Sequence, residues 1–197
     1  MSEKYKFDTM SLHSGHVPDK ETGSRAVPIY QTTSYVFKDT DEAAALYNME
    51  VGGHLYTRIS NPTIATLEQR LASLDGGVSC VACSSGMAAM HLVVTAICSS
   101  GDHIVASNKM YGANINLLQH TMTRFGIETE FVNPNSLEEI ENAIKPNTKL
   151  VFGEVIGNPG LDVMNVPEVA KICKKKNVPL AIDATFNTPY LMKPITY

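Results

Sequence analysis

From Asn61 onward the apolar positions fall alternately into short runs and into helical spacings. Residues 78–82, 103–107, 127–132, 149–154 and 178–183 are apolar runs bounded by turn or polar residues, which predicts buried strands. Between them, apolar side chains recur three or four residues apart, as along one face of a helix. Leu67, Leu71 and Leu74 mark one helix; Ile115, Leu118, Met122 and Phe125 mark another, ended by Gly126. Leu137, Ile140 and Ile144 mark a third; Val166, Val169, Ala170 and Cys173 mark the last. The end signals agree. Asn61-Pro62-Thr63 starts the first helix and Gly76-Gly77 stops it, and Ser136 caps the third ahead of Glu138-Glu139. Lys174-Lys175-Lys176 suits a solvated helix carboxyl end. Strands alternating with helices predict an α/β fold, a mostly parallel sheet flanked by helices.

Residues 1–60 lack that rhythm. Turn signals stand at Pro18-Asp19, Thr22-Gly23, Pro28 and Gly52-Gly53, and only residues 39–49 read as a short helix. So long a stretch with little regular structure is stable only against another surface. The chain therefore reads as an N-terminal arm, residues 1–60, followed by residues 61–197 as part of a larger α/β domain.

Chemistry first shows at residues 78–94, where an apolar run passes through Ser84-Ser85-Gly86 into a helix with Met87, Met90, His91 and Val94 on one face. Small residues at such a junction let backbone N–H groups close on an anion, and the helix start favours negative charge. This is a phosphate seat, which many phosphate-bearing ligands would fit. Two other strand ends carry polar groups: Asp183-Ala184-Thr185 after residues 178–182, and Glu154 through Asn158. Open α/β sheets bind ligands outside the carboxyl ends of their strands, so these groups can converge on one crevice. A phosphate seat, an amide and a carboxylate suit a ligand with a phosphate at one end and a protonatable ring nitrogen at the other. Read alone, Asp183 is as well an ordinary strand-end carboxylate, Tyr111 a packed aromatic, Gly86 a tight turn and Met87 a core residue.

Composition removes several function classes. Sixteen basic against 20 acidic residues give a net charge of −4, which recommends no nucleic-acid partner. No G-x-G-x-x-G follows a strand, so a dinucleotide site is not indicated. No His-Glu-x-x-His or comparable spacing predicts a metal site, and the four cysteines do not form two close pairs of the zinc-ribbon kind. Cys80 and Cys83 precede a helix as a redox pair would, but Cys80 falls within the apolar run and the two read as reduced core thiols. The most apolar helical run, residues 87–98, is too short to span a bilayer, and the amino terminus lacks the apolar core of a signal peptide. A cytoplasmic protein is expected.

The motifs His13-Ser14-Gly15, Pro18-Asp19, Thr22-Gly23 and Pro28-Ile29-Tyr30-Gln31-Thr32-Thr33 open an ordered series. It continues through Tyr56-Thr57-Arg58-Ile59-Ser60-Asn61-Pro62-Thr63, Ser85-Gly86-Met87, Tyr111-Gly112, Asn158-Pro159 and Asp183-Ala184-Thr185-Phe186. In this order they resemble the N-terminal half of the pyridoxal-phosphate (PLP) enzymes of cysteine and methionine metabolism. The resemblance implies an incomplete large domain of PLP fold type I, with an arm that packs across a neighbouring subunit and helps complete its active site. It implies a homo-oligomer, a dimer of dimers with shared sites, acting on an amino-acid substrate and a sulfur donor.

The resemblance also implies roles. Asp183 lies against the pyridine nitrogen of pyridoxal 5'-phosphate. Ser85, Gly86 and Met87 hold its phosphate, Thr185 lies against the ring face, and Asn158 bonds the ring hydroxyl or the substrate. Tyr111 stacks on the ring and assists proton transfer. Tyr56 and Arg58 reach the phosphate of a neighbouring subunit's cofactor; they alternate along a segment read as extended, which projects both to one side.

Three segments lean towards O-acetylhomoserine sulfhydrylase within this family: Asp39 to Tyr47, Arg58 to Thr63, and Glu154-Val155-Ile156-Gly157-Asn158-Pro159. The last departs from the Glu-Ser-Pro-x-Asn-Pro form common in the lyases and synthases. Methionine γ-lyases carry cysteine shortly after the Tyr-Gly pair, where this chain has Ala113-Asn114. Ala184 stands where most relatives have asparagine. Cystathionine γ-synthase and the methionine and cystathionine γ-lyases are the alternatives. The Ser-x-Thr-Lys-type motif whose lysine holds the cofactor does not occur in the 197 residues. The chain is therefore expected to be a fragment of a longer product and inactive alone, or else a non-catalytic assembly subunit.

Overall fold

β1 (His103–Ser107) is buried along its whole length, so both of its faces must be covered. In the computed structural model, which describes residues 5–197, β1 lies between two parallel neighbours, β2 (Glu128–Val132) and β3 (Thr148–Glu154). β4 (Leu180–Asp183) adds to the other side of β3, also parallel, giving the order β2-β1-β3-β4 among the described residues. Parallel neighbours need crossovers, and the helices supply them. Side chains alternate across the sheet. Ile104, Ala106, Leu150 and Phe152 pack on one face with Met90, Val94, Leu118 and Met122. Val105 and Val151 pack on the other with Ile140, Val166, Val169 and Cys173. Each such Val, Leu or Ile contributes roughly 1.5–3 kcal/mol when fully buried.

The helices covering the sheet are α4 (Gly86–Ile97), α6 (Leu137–Ala143) and α7 (Val166–Lys176). Their starts are capped by Ser85, Ser136 and Asn165, each accepting a backbone N–H three residues on. On α4 the predicted apolar face is half right: Met90 and Val94 are buried, but His91 is exposed. The helix predicted through Ile115 to Phe125 is less regular than its spacing. It is α-helical over Gly112–Asn116 (α5), widens to a π-helix over Leu117–Thr121 and tightens to 3-10 over Met122–Phe125. Gly126, at φ +74°, ends it, and a Cβ there would collide with the Ser100 hydroxyl.

The chain divides by its contacts into two units, Met1–Ala82 and Cys83–Tyr197. The sheet belongs to the second. The first is built around α3 (Pro62–Asp75), with α1 (Phe7–His13) and α2 (Thr40–Tyr47) ahead of it. The sequence motifs are the joints of this unit. Asn61 caps α3 and donates to the Tyr30 carbonyl, while the Thr63 hydroxyl donates to the Pro28 carbonyl and accepts the Tyr30 N–H. Arg70 Nε donates to the Ser14 carbonyl at 2.9 Å. Beside it Gly15, at φ +74°, passes so close to α3 that a Cβ would lie 2.7 Å from the Thr66 carbonyl oxygen. The unit leaves Ile29, Val36 and Met49 more than four-fifths exposed.

One predicted strand is absent. Residues 78–82 form no rung of the sheet; Val78 and Val81 are exposed, and the Ala82 N–H donates to the Glu68 carboxylate. An apolar run becomes a strand only where a neighbouring strand offers a ladder.

Candidate active site

Four strands run parallel, so Ser107, Val132, Glu154 and Asp183 all lie at one edge of the sheet. Against that edge sits a cavity of about 360 Å³. Its walls are Ser85, Gly86, Met87, Tyr111, Asn114, Glu154, Ile156, Asp183, Thr185 and Phe186. Six of the residues picked from the sequence are thus brought together: Ser85, Gly86, Met87, Tyr111, Asp183 and Thr185.

One wall is the start of α4. Ser85 is fully extended, and its hydroxyl accepts the Ala88 N–H at 3.1 Å, which turns the chain into the helix. The first N–H groups of a helix have no acceptor within it, so those of Gly86 and Met87 are open to an anion. A Cβ on Gly86 would meet nothing within 4 Å, so there is room directly over the helix start.

Another wall is the pair of strand ends. Asp183 is half-buried, and its Oδ1 accepts both the backbone N–H and the hydroxyl of Thr185, at 2.9 and 2.5 Å. Beside it, Glu154 is 6% exposed. Glu154 Oε1 accepts the Tyr111 N–H at 2.8 Å and the Asn114 side-chain amide at 3.4 Å; Oε2 accepts the Asn158 N–H at 3.2 Å. Burial pushes the Glu154 carboxyl above its ordinary proton affinity and the Asp183 charge adds to this, while the N–H donors pull the other way. Tyr111 is half exposed in the cavity and immediately precedes the short helix at Gly112.

Asn158 reaches this cluster through its backbone; its side chain is not among the cavity walls. Tyr56 and Arg58 belong to the other unit, where the Arg58 guanidinium lies 5.1 Å from the centre of the Tyr56 ring. The extended reading of their segment is corrected. Tyr56 bridges to Ser34, and then Ile59 and Ser60 both donate to the Tyr56 carbonyl, so the chain turns through Arg58. The two side chains still meet, but through this turn and not through strand alternation.

Asn114, Ile156 and Phe186 were given no role from the sequence, and Glu154 only as the start of a strand-end segment expected at the crevice. Asn114 stands three residues after Tyr111 at the start of a helix, a spacing that would have flagged it. For Glu154 the signal is its register opposite Asp183, which needs the strand order. Among the described residues no group of three or more His, Cys, Asp or Glu is disposed to hold a metal ion, and no helix is long and apolar enough to cross a membrane.

Known proteins are similar in sequence and architecture. A family model described as Cys/Met metabolism PLP-dependent enzyme matches residues 8–197. The O-acetyl-L-homoserine sulfhydrylase of Leptospira meyeri is 44% identical over 197 residues, covering 100% of this chain and 45% of the relative. That of Corynebacterium glutamicum is 42% identical, covering 98% of the chain and 45% of the relative. Among solved structures, one from Campylobacter jejuni assigned as an O-acetylhomoserine (thiol)-lyase, with an N'-pyridoxyl-lysine-5'-monophosphate, superposes with a TM-score of 0.94 at 38% identity. The match covers 98% of this chain and 47% of that one. The chain thus spans about half the length of the curated relatives it matches.

Proposed function

The chain belongs to the Cys/Met metabolism PLP-dependent enzyme family, and from that membership we propose that the whole protein makes homocysteine and acetate from O-acetylhomoserine and sulfide. The relatives named above favour this reaction over its neighbours in the family. The observation that carries the reading is one cavity walled by the start of α4, by Tyr111 and by Asp183. Those residues fit the cofactor: N–H donors and open space over Gly86 suit a phosphate, and a carboxylate held by Thr185 suits a ring nitrogen.

Bound pyridoxal phosphate supplies an electron sink for the bonds around the substrate α-carbon. The rest is the work of this chain. Asp183 keeps a proton on the pyridine nitrogen, and Thr185 fixes the carboxylate and lies against the ring. Ser85, Gly86 and Met87 anchor the phosphate through the helix start. Tyr111 packs on the ring, and its phenol carries protons as the γ-carbon–oxygen bond breaks and acetate departs. Asn158 would hydrogen-bond the ring hydroxyl or the substrate. Sulfide then forms the new bond at the γ-carbon. Arg58 and Tyr56 serve the phosphate of a neighbouring subunit, so the working protein is a homo-oligomer with shared sites, a dimer of dimers. An exposed Val36 and Met49 in the first unit support such a contact. The protein works in the cytoplasm. The isolated chain, whose 197 residues contain no Ser-x-Thr-Lys-type motif, turns over no substrate.

The test is a set of initial rates for the full-length protein on O-acetylhomoserine with sulfide, with cysteine and with no nucleophile. A dominant sulfide-dependent rate is expected. A dominant cysteine-dependent rate would make it a cystathionine γ-synthase, and ammonia with methanethiol released from methionine would make it a lyase. No turnover of any of these by a cofactor-loaded full-length protein would overturn the reading.

A further inference from the structure

We propose that Glu154 is a positioning residue that ties the Tyr111 and Asn158 segments into one rigid unit beside the cavity. The proposal rests on the reaction reading above for its consequence in turnover, but not for its geometry. Tyr111 follows β1 and Asn158 follows β3, so the two segments lie 47 residues apart in the chain and are held by different strands. Glu154, the last residue of β3, meets both. One carboxylate oxygen takes the Tyr111 N–H and the other the Asn158 N–H, with the Asn114 amide on the first.

A second observation points the same way. Gly157 approaches the Tyr111 segment so closely that a Cβ would collide with the Lys109 carbonyl oxygen. The Gly157 N–H meanwhile donates to the Asp162 carbonyl, which closes its own loop. The two segments are therefore in backbone contact, and the carboxylate clamps them there. Burying a carboxylate next to Asp183 opposes folding, and only its N–H donors offset that cost. An aspartate would be one methylene too short to span both segments. A glutamine would turn one acceptor oxygen into an NH2 that faces an N–H donor.

A strand-end carboxylate with a purely structural role would support folding without acting through Tyr111. The two roles separate in the full-length protein. Hydrogen exchange, read on peptides covering residues 108–116 and 155–161 with and without cofactor, should speed up in both peptides together in Glu154→Gln, while the peptide carrying β1 stays protected. In the holoenzyme Glu154→Gln should lower kcat roughly tenfold or more with little change in KM, because misplacing a reacting group by an ångström slows the step more than the binding. In a Tyr111→Phe background the same substitution should cost less than about twofold, because the two act as a unit. Glu154→Asp, which keeps the charge, should behave like Glu154→Gln and not like the wild type.

Unchanged exchange in either peptide would overturn the proposal. So would equal losses in both Tyr111 backgrounds, or unfolding of both Glu154 variants, which would make the residue structural. If the two peptides loosen together but O-acetylhomoserine is no substrate, the clamp stands and the reaction reading falls.

Discussion

Glu154 and Asp183 end adjacent parallel strands in register, directly opposite each other. Two carboxylates so placed repel, and the structure divides them by giving each its own partners. The Glu154 carboxylate is covered by N–H groups from the Tyr111 and Asn158 segments, whereas the Asp183 carboxylate is held by Thr185 alone among the side-chain bonds described for it. Both line the cavity, but the Glu154 oxygens are taken up by loop N–H groups, whereas Asp183 Oδ2 has no such donor among the bonds described and can meet a ring nitrogen. The separation of duties makes Asp183, not Glu154, the partner of the cofactor ring in the proposed mechanism.

Asp183→Asn therefore tests the electron sink with little change of shape. An amide cannot stabilise a proton on the ring nitrogen, so homocysteine formation by the full-length protein should drop by roughly a hundredfold or more. The Asn oxygen still accepts from Thr185, so the melting temperature should stay close to that of the wild type. Near-normal turnover would remove Asp183 from the mechanism.

The shared-site proposal has its own experiment. A full-length Arg58→Ala variant and a full-length Asp183→Asn variant should each be nearly inactive. Mixed under conditions that exchange subunits, they should form some sites carrying neither defect, and activity should return. Exchange proved by mass with no return of activity would defeat the sharing.

Most of the second unit was legible in the sequence. The runs at 103–107, 127–132, 149–154 and 178–183 became β1 to β4, because a parallel strand is buried on both faces and shows as a continuous apolar run. The caps at Asn61 and Ser136 were legible because they act within three residues. What failed was non-local. Residues 78–82 have a strand's composition, but no neighbour in the described sheet. The Tyr56–Arg58 turn is closed locally by the Ile59 and Ser60 N–H groups, but Tyr56 enters it from a bridge to Ser34, twenty-two residues away. The Glu154 cluster joins segments that only the strand order brings side by side. The turn into α4 at Ser85-Gly86-Met87 is local and was read directly; its use as a phosphate seat is part of the proposed function.

The buried thiols give a prediction that needs no substrate. Burial pushes Cys173 up to about 11, and burial with the Asp102 charge pushes Cys98 to about 11. At pH 8 only about one thiol in a thousand would be ionised at either site, and the thiolate is the reacting form. Iodoacetamide at that pH should leave Cys98 and Cys173 unmodified in the native full-length protein and label both after unfolding in guanidinium. Rapid native labelling of either, read by peptide mass, would contradict its placement in the core.

The far end of the sheet carries an acid-sensitive group. His103 begins β1 at 1% exposure, with Nδ1 2.9 Å from the Thr148 hydroxyl. Its Nε2 lies 3.4 Å from Lys145 Nζ and 3.7 Å from the Glu130 carboxylate, which itself pairs with Lys145 at 2.6 Å. Burial lowers the proton affinity of His103 and the Lys145 charge lowers it further; Glu130 and Glu128 oppose both without reversing them. The folded chain therefore takes up this proton at a lower pH than the unfolded chain, whose histidine titrates near 6.5. Between those two values the unfolded state binds more protons, so stability falls as pH drops through the window and levels off below the folded value. Urea unfolding of the full-length protein between pH 7.5 and 5 should show this loss in the wild type. In His103→Gln the curve should start lower, because a buried contact is lost, but it should fall less steeply with acid. Glu130→Gln removes an opposing charge and should steepen it. Parallel curves for the wild type and His103→Gln would show that the buried imidazole does not set the acid limit of this fold.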